Sequence, residues 1–172
     1  MTYDELLIEA DGAGLIVKEA PLLSGDGRCK GCRIAIRKDI PTLQKKADTL
    51  AEEMGHFYTT VGDILEQDTV NSCKQERSAR LWAYNKQIGL QGIIWAYQHQ
   101  CRNPYEAAEY LNVSEETFAE AIEFYRKIYG QGIMIDNYFI QFEPNLQVYE
   151  YFQIRRTPHE IRNEKSKPHE VL

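Results

Sequence analysis

The sequence predicts an α+β fold in which a small N-terminal antiparallel sheet packs on a mainly helical body. Short stretches of alternating apolar residues between positions 15 and 36 are typical of strands. Longer segments with apolar residues at every third or fourth position then indicate amphipathic helices. Residues 133–142 alternate again, which predicts a C-terminal hairpin that turns at Asp136-Asn137.

A chain of 172 residues, 43% of them hydrophobic, is long enough for one domain with a substantial core. We expect a core at residues 1–102, a helix-turn-helix-like segment and hairpin at 103–154 in the same domain, and a charged, flexible tail at 155–172. No apolar run reaches the roughly 20 residues of a membrane helix. The first residues also lack the pattern of a signal peptide, so we expect a cytoplasmic protein. The net charge of −6 argues against broad binding to nucleic acid.

The first forty residues predict one helix and two strands. The helix covers residues 2–11, and the strands cover residues 15–20 and 31–36. Cys29 and Cys32 form a Cys-x-x-Cys pair, but no second pair follows. We therefore interpret them as incidental thiols of a strand or turn rather than as half of a zinc site.

A helix is predicted at residues 43–58, with Thr42 as its N-cap. Its apolar residues recur at helical spacing and predict one buried stripe. The members of this stripe are Leu43, Ala47, Leu50, Ala51, Met54, Phe57 and Tyr58. At about 100° per residue, Glu52 and His56 fall nearly opposite the centre of the stripe, where an ordinary solvated face is the simpler interpretation.

The same helix carries Glu52, Glu53 and His56 in a Glu-Glu-x-x-His pattern. This pattern differs by one residue from His-Glu-x-x-His, the helical motif of zinc peptidases. Side chains at positions i and i+4 lie on one helix face, so Glu52 and His56 can bind one metal ion together. Glu53 would then lie beside the ion, where a general base is needed. Such a site requires a further ligand from a second element.

A second helix, predicted at residues 73–84, can supply that ligand. Glu76, Ala79 and Ala83 share one face of this helix, and the two alanines allow a close approach to the first helix. The loop predicted at residues 61–68 is long enough to let the two helices run past each other. The alternative interpretation is a solvated glutamate above two packing alanines.

These two segments resemble the ImmA/IrrE family of metallo-endopeptidases, in particular its members from phages and integrative elements. The matching stretches read LAEEMGHFYTTVGDIL at residues 50–65 and KQERSARLWAY at residues 74–84. The resemblance extends from residue 15 to residue 143. It implies a small sheet followed by a metal-binding helix, as in other zinc peptidases.

The resemblance also implies a function and a role for each site residue. By position, Glu53 corresponds to the general base, His56 and Glu76 to metal ligands, and Glu52 to the family's first histidine ligand. The implied activity is metal-dependent cleavage of a specific cytoplasmic protein, such as a phage or mobile-element repressor. The alternative is a catalytically inactive relative that keeps the fold and binds the repressor.

A glutamate in place of the first histidine changes the expected metal chemistry. Zinc remains the expected ion, and the additional carboxylate makes manganese or iron(II) plausible alternatives. The additional negative charge should leave a bound water less acidic. Glu52 therefore predicts a weakened hydrolytic site or a remnant of one.

Residues 88–100 predict an apolar helix that belongs to the core. Its large apolar residues are Ile93, Ile94, Trp95 and Tyr97. His99 follows them, and we interpret it as a packed or solvated histidine, with a spare metal ligand as the alternative.

Residues 105–129 predict a helix-turn-helix, with Ser114 as the N-cap of the second helix. A DNA-reading helix presents Arg, Lys, Asn or Gln in its first turns. This helix presents Glu115, Glu116, Glu120 and Glu123 instead. Because acidic groups repel phosphate, we do not expect direct DNA binding. The segment should instead pack beside the metal-binding helices or dock a protein partner.

Overall fold

A computed structural model describes residues 1–59 and 69–151 of the chain. The predicted α+β class is confirmed. In chain order the elements are α1 (Tyr3–Gly12), β1 (Ile16–Ala20), β2 (Gly27–Lys30), β3 (Arg33–Arg37), α2 (Leu43–Thr59), α3 (Thr69–Gln87), α4 (Gly89–Gln98), α5 (Pro104–Leu111), α6 (Glu115–Tyr129), β4 (Gly132–Ile135), β5 (Tyr138–Gln141) and β6 (Gln147–Glu150). The loop predicted at residues 61–68 and the tail predicted at residues 155–172 lie outside the described residues.

The N-terminal sheet is mixed, so the prediction of an antiparallel sheet is wrong. Its strand order is β1-β3-β2, with β1 parallel and β2 antiparallel to β3. β3 takes the centre because its Ile34 and Ile36 are almost fully buried in the core. The sequence interpretation missed β2, since glycine and charged residues have low strand propensity. Pairing with β3 makes it a strand nonetheless.

The predicted C-terminal hairpin is confirmed, and a third strand extends it. β4 and β5 pair in antiparallel fashion on either side of Asp136-Asn137, and β6 pairs with the other edge of β5. Ile140 and Phe142 are fully buried. Three strands with an apolar face can be stable where an isolated hairpin would be marginal.

Two hydrophobic clusters form the core. One joins α1, the N-terminal sheet and α2, and the other joins α4, α5, α6 and the C-terminal sheet. Helix α3 contributes to both, because Ala83 belongs to the first cluster and Tyr84 to the second. α3 therefore lies at the boundary between the clusters.

Helix α2 buries the middle of its predicted stripe but not the ends. The fully buried members are Ala47, Leu50, Ala51 and Met54. Leu43 and Tyr58 are 65% and 40% exposed, so their assignment to the core is wrong. They lie in the first and last turns of α2, and Tyr58 stacks on Trp82 of α3 with ring centroids 4.9 Å apart. The predicted N-cap is present, since the Lys45 backbone N–H donates to Thr42 Oγ1 at 3.2 Å.

Helix α4 belongs only partly to the core. Ile93 and Ile94 are buried, whereas Trp95 and Tyr97 are 53% and 41% exposed, so their assignment to the core is wrong. The polar groups of a small domain are too few to form its entire surface, so some large apolar side chains remain exposed. In α4 these are the side chains on the face that points away from the core. Within the described ranges, no helix combines the length and apolar character needed to cross a membrane.

Helices α2 and α3 pack at close range around Gly55. A Cβ atom at Gly55 would overlap the carbonyl oxygen of Ala79 and would lie 3.0 Å from its carbonyl carbon. Ala79 and Ala83 are buried on the face of α3 that the sequence predicted to be small. The missing side chain at Gly55 therefore sets the distance between the two helices.

We expect Gly55→Ala to lower the free energy of unfolding by about 1–3 kcal/mol, because the added methyl group forces α2 and α3 apart. Urea unfolding measures this change. Gly12→Ala is the matched control, since a Cβ atom there meets nothing within 4 Å and should leave stability unchanged or slightly higher. Equal stability of Gly55→Ala and the wild type would contradict the close contact.

Candidate metal centre

A cleft of about 320 Å³ opens between β2, α2, α3 and α6. Acidic side chains dominate its charged lining. The acidic members are Asp26, Asp48, Glu52, Glu53, Glu76 and Glu120, and the basic members are Lys45 and Arg80. This excess of acidic groups favours a cation over an anion in the cleft.

The structure brings Glu52, His56 and Glu76 together in this cleft. Glu52 and His56 lie one turn apart on α2, and Glu76 faces them from α3. One ligand atom from each side chain lies within 4.8 Å of the other two, which gives two carboxylate oxygens and one imidazole nitrogen. Glu52 and His56 therefore share one face of α2, as the sequence predicts, and Glu76 lies close to both.

The donor atoms and their spacing fit a divalent metal ion. Zinc binds imidazole nitrogen and carboxylate oxygen at about 2.0–2.2 Å, so two ligands of a tetrahedral site lie roughly 3.4 Å apart. His56 Nε2 and Glu76 Oε2 are 3.4 Å apart. The side chains of His56, Glu52 and Glu76 remain 28%, 38% and 43% exposed, so an ion can reach them from solvent. The same donor types also suit manganese and iron(II).

Glu53 lies next to this group and has an altered acidity. Burial, followed by the neighbouring charge of Glu52, raises the pKa of the Glu53 carboxyl to about 7. A backbone hydrogen bond from Cys29 on β2 acts in the opposite direction. β2 also covers this side chain closely, because a Cβ atom at Gly27 would lie 2.5 Å from Glu53 Oε1. The strand that the sequence interpretation missed therefore creates the environment of Glu53.

Arg80 is a charged neighbour to which the sequence interpretation gave no role. Its Nε lies 2.9 Å from Glu76 Oε1 and 3.3 Å from Glu52 Oε1. The two carboxylates in turn raise the pKa of the Arg80 guanidinium against the opposing effect of burial. Burial raises the pKa of the Glu52 carboxyl, and the charge of Arg80 lowers it. The signal in the sequence was the spacing of four residues between Glu76 and Arg80, which allows an ion pair within one helix.

Asp48 was also missed, and it organises the inner end of the cleft. It is buried and accepts hydrogen bonds from three groups on two other parts of the chain. The donors are Gln87 Nε2 at 2.9 Å, the Ser114 backbone N–H at 3.0 Å and Thr117 Oγ1 at 2.8 Å. Asp48 precedes Glu52 by four residues and so shares the face of the metal-ligand pattern, which is the signal that could have identified it.

The first turns of α6 pack beside α2 and α3. Lys45 Nζ on α2 lies 2.6 Å from Glu116 Oε2, and the Tyr84 hydroxyl on α3 donates to Glu120 Oε2 at 2.9 Å. Ser114 caps α6 as predicted, since its side chain accepts from the Thr117 backbone N–H. Thr117 and Glu120 of α6 thus contribute to one wall of the cleft.

His99 and the Cys-x-x-Cys pair do not join the ligand group. His99 follows the last turn of α4 and stacks on Tyr110, with ring centroids 4.4 Å apart. Cys29 lies in β2, Cys32 lies in the turn to β3, and both are free thiols. Burial, and then the charge of Glu53, raises the pKa of the Cys29 thiol.

Comparison with family models, curated proteins and solved structures finds no match to this chain. Function is therefore inferred from the chemistry of the cleft and from the motif resemblance. The arrangement of ligand atoms in the cleft is given by the side-chain positions and does not depend on that resemblance.

Chelator-treated protein should lose stability between about pH 4.5 and about pH 7 because of Glu53. The carboxyl titrates near 4.5 in the unfolded chain and near 7 in the folded protein, so the folded state binds more protons in this window and its stability falls as the pH rises. Glu53→Gln has no proton to lose and should show a shallower fall. Urea unfolding across this pH range measures both slopes, and parallel slopes would contradict a raised pKa.

Proposed function

We propose that the protein is a metal-dependent endopeptidase that cuts a specific protein substrate, as the ImmA/IrrE resemblance implies. The observation that carries this proposal is the meeting of two features in one cleft. Glu52, His56 and Glu76 form a group that fits a divalent ion. The Glu53 carboxyl lines the same cleft, and its pKa is raised to about 7 in the metal-free protein. Together they supply what hydrolysis at a metal centre needs: ligands for a Lewis acid and a carboxyl group beside them that can act as a base.

Glu53 is the general base in this proposal. Burial and the charge of Glu52 raise the pKa of this carboxyl to about 7 in the metal-free protein, and a bound cation would lower it again. Glu53 would then be a carboxylate, which is the form that accepts a proton. Glu53 takes a proton from the attacking water and returns it to the leaving amine of the peptide bond. Close packing of Gly27 on its carboxylate holds the side chain at the wall of the cleft.

Glu52, His56 and Glu76 are the proposed ligands, with zinc as the expected ion and manganese or iron(II) as alternatives. When bound, such an ion supplies Lewis acidity to the scissile carbonyl and to the attacking water. The chain itself keeps the ligands of two helices at a fixed separation, which the contact at Gly55 sets.

The shape and charge of the cleft favour a peptide segment as substrate. The cleft continues into a second groove between α3 and α6, and Glu76, Arg80, Tyr84 and Glu120 line both. A continuous groove accommodates an extended chain better than a compact small molecule. The acidic excess is confined to the first cleft, because three acidic and three basic side chains line the second groove. Charge complementarity therefore favours a basic residue of the substrate in the first cleft, beside the candidate metal group. A phage or mobile-element repressor, as implied by the motif resemblance, is the proposed substrate.

Glu53→Gln should abolish proteolysis while metal content and fold stay unchanged, because an amide cannot accept the proton of the attacking water. Mass spectrometry of new protein N-termini, in host cells that express either the wild type or Glu53→Gln, identifies the substrate from its cleavage products alone. We expect a cleavage product that appears with the wild type and is absent with Glu53→Gln.

Two other outcomes separate the alternatives. Cleavage at the wild-type rate by Glu53→Gln would exclude Glu53 as the base. Stable capture of the repressor by both proteins, with no new N-termini, would instead favour the inactive, repressor-binding alternative.

His56→Ala and Glu76→Ala should each remove the bound metal and lower the melting temperature of metal-loaded protein, since binding to the folded state alone stabilises it. Metal analysis of protein purified without chelators measures the stoichiometry. His99→Ala is the matched control, because His99 stacks on Tyr110 and lies outside the ligand group. Unchanged metal content in both site variants would show that these residues are not metal ligands and only form a charged surface.

A further inference from the structure

Arg80 on α3 contacts both carboxylates of the candidate metal group. Its Nε lies 2.9 Å from Glu76 Oε1 and 3.3 Å from Glu52 Oε1. The other oxygen of Glu76, Oε2, lies 3.4 Å from His56 Nε2. Glu76 therefore presents one oxygen to the guanidinium and the other to the imidazole, so Arg80 and a metal ion need not compete for the same atom.

These ion pairs are too exposed to act mainly through folding stability. The side chains of Arg80, Glu76 and Glu52 are all more than a third exposed. Ion pairs at such positions contribute little to the free energy of folding, because water and salt screen them. The position of Arg80 between two acidic ligands points instead to an electrostatic effect on the ion that those ligands bind.

The charges of the group indicate what this effect is. With a neutral imidazole at His56, Glu52 and Glu76 contribute two negative charges, and Arg80 returns one positive charge. Two imidazoles and one carboxylate, a common ligand set of hydrolytic zinc sites, also carry a single negative charge. Arg80 thus cancels the charge that a carboxylate at Glu52 adds.

We propose that Arg80 is the counter-charge of the metal centre, a positioning residue that holds the Oε1 atoms of Glu52 and Glu76 and offsets the additional carboxylate. This inference rests on the proposed metal site. Arg80 lowers the affinity of the centre for a divalent ion below what two carboxylates and an imidazole alone would give. Arg80 also offsets the negative charge of Glu52, which would otherwise weaken the ability of the ion to polarise a bound water or carbonyl group.

Zinc affinity tests the counter-charge directly. The wild type is compared with Arg80→Gln, Arg80→Lys, Arg77→Gln and Glu76→Gln by competition with a chromophoric chelator at one fixed, low ionic strength. Arg77 is the matched control because it carries the same charge on the same helix. It lies over the Phe124 ring, 5.3 Å from the ring centroid, and among the described residues it forms no ion pair with the ligands.

Arg80→Gln should tighten Zn²⁺ binding by on the order of tenfold, since it removes a positive charge close to the ion. If Arg80 only held Glu52 and Glu76 in place, Arg80→Gln should weaken Zn²⁺ binding, because less well positioned carboxylates bind the ion more weakly. Arg80→Lys keeps the charge and should stay within about threefold of the wild type, and Arg77→Gln should do the same because screening weakens its more distant charge.

Unchanged or weaker Zn²⁺ binding by Arg80→Gln would overturn the counter-charge role. An equal gain in Arg77→Gln, or in Arg80→Lys, would overturn it as well. Glu76→Gln tests the metal site separately: strong loss of Zn²⁺ binding supports the site whatever Arg80 does. Wild-type binding by Glu76→Gln, or no binding by the wild type, would overturn the site and with it the role of Arg80.

Discussion

At Gly55 the backbone of α2 approaches the carbonyl group of Ala79 on α3 so closely that a side chain has no room. Gly55 lies one residue before His56 on α2, and Ala79 lies three residues after Glu76 on α3. The contact therefore sets the distance between the ligands of the two helices. Small residues at a helix crossing allow such an approach at the expense of some intrinsic helix stability. The geometry of the cleft thus depends on a glycine that contributes no functional group.

Asp48 provides the second constraint, because it joins α2 to α6 across the inner end of the cleft. A buried carboxylate is stable only when hydrogen bonds replace its lost water, and Gln87, Ser114 and Thr117 supply them. The bond to the Ser114 backbone also places a negative charge at the N-terminus of α6, where the helix dipole favours it. Asp48 thereby links α2, which belongs to one hydrophobic cluster, to α6, which belongs to the other.

The electrostatics of the cleft follow from placing several carboxyl groups between these helices. Partial burial and mutual repulsion disfavour their charged forms, which raises the pKa of Glu53 to about 7 and also raises the pKa of Glu52. Arg80 relieves part of this repulsion from α3. A divalent ion would relieve more of it, so the same crowding that disfavours the charged carboxyl groups favours cation binding.

The sequence by itself determined the α+β class, the helices α2 and α3, the caps at Thr42 and Ser114, and the shared face of Glu52 and His56. These features depend on local periodicity and on hydrogen bonds between residues a few positions apart. Only the tertiary structure decided the mixed order of the N-terminal sheet, the cover of β2 over Glu53, the bonds of Asp48 to α6 and the approach of Arg80 to Glu52. Each of these features joins residues that are far apart in the chain. Local periodicity does not specify such contacts, because the pattern of one segment is compatible with many different neighbouring segments.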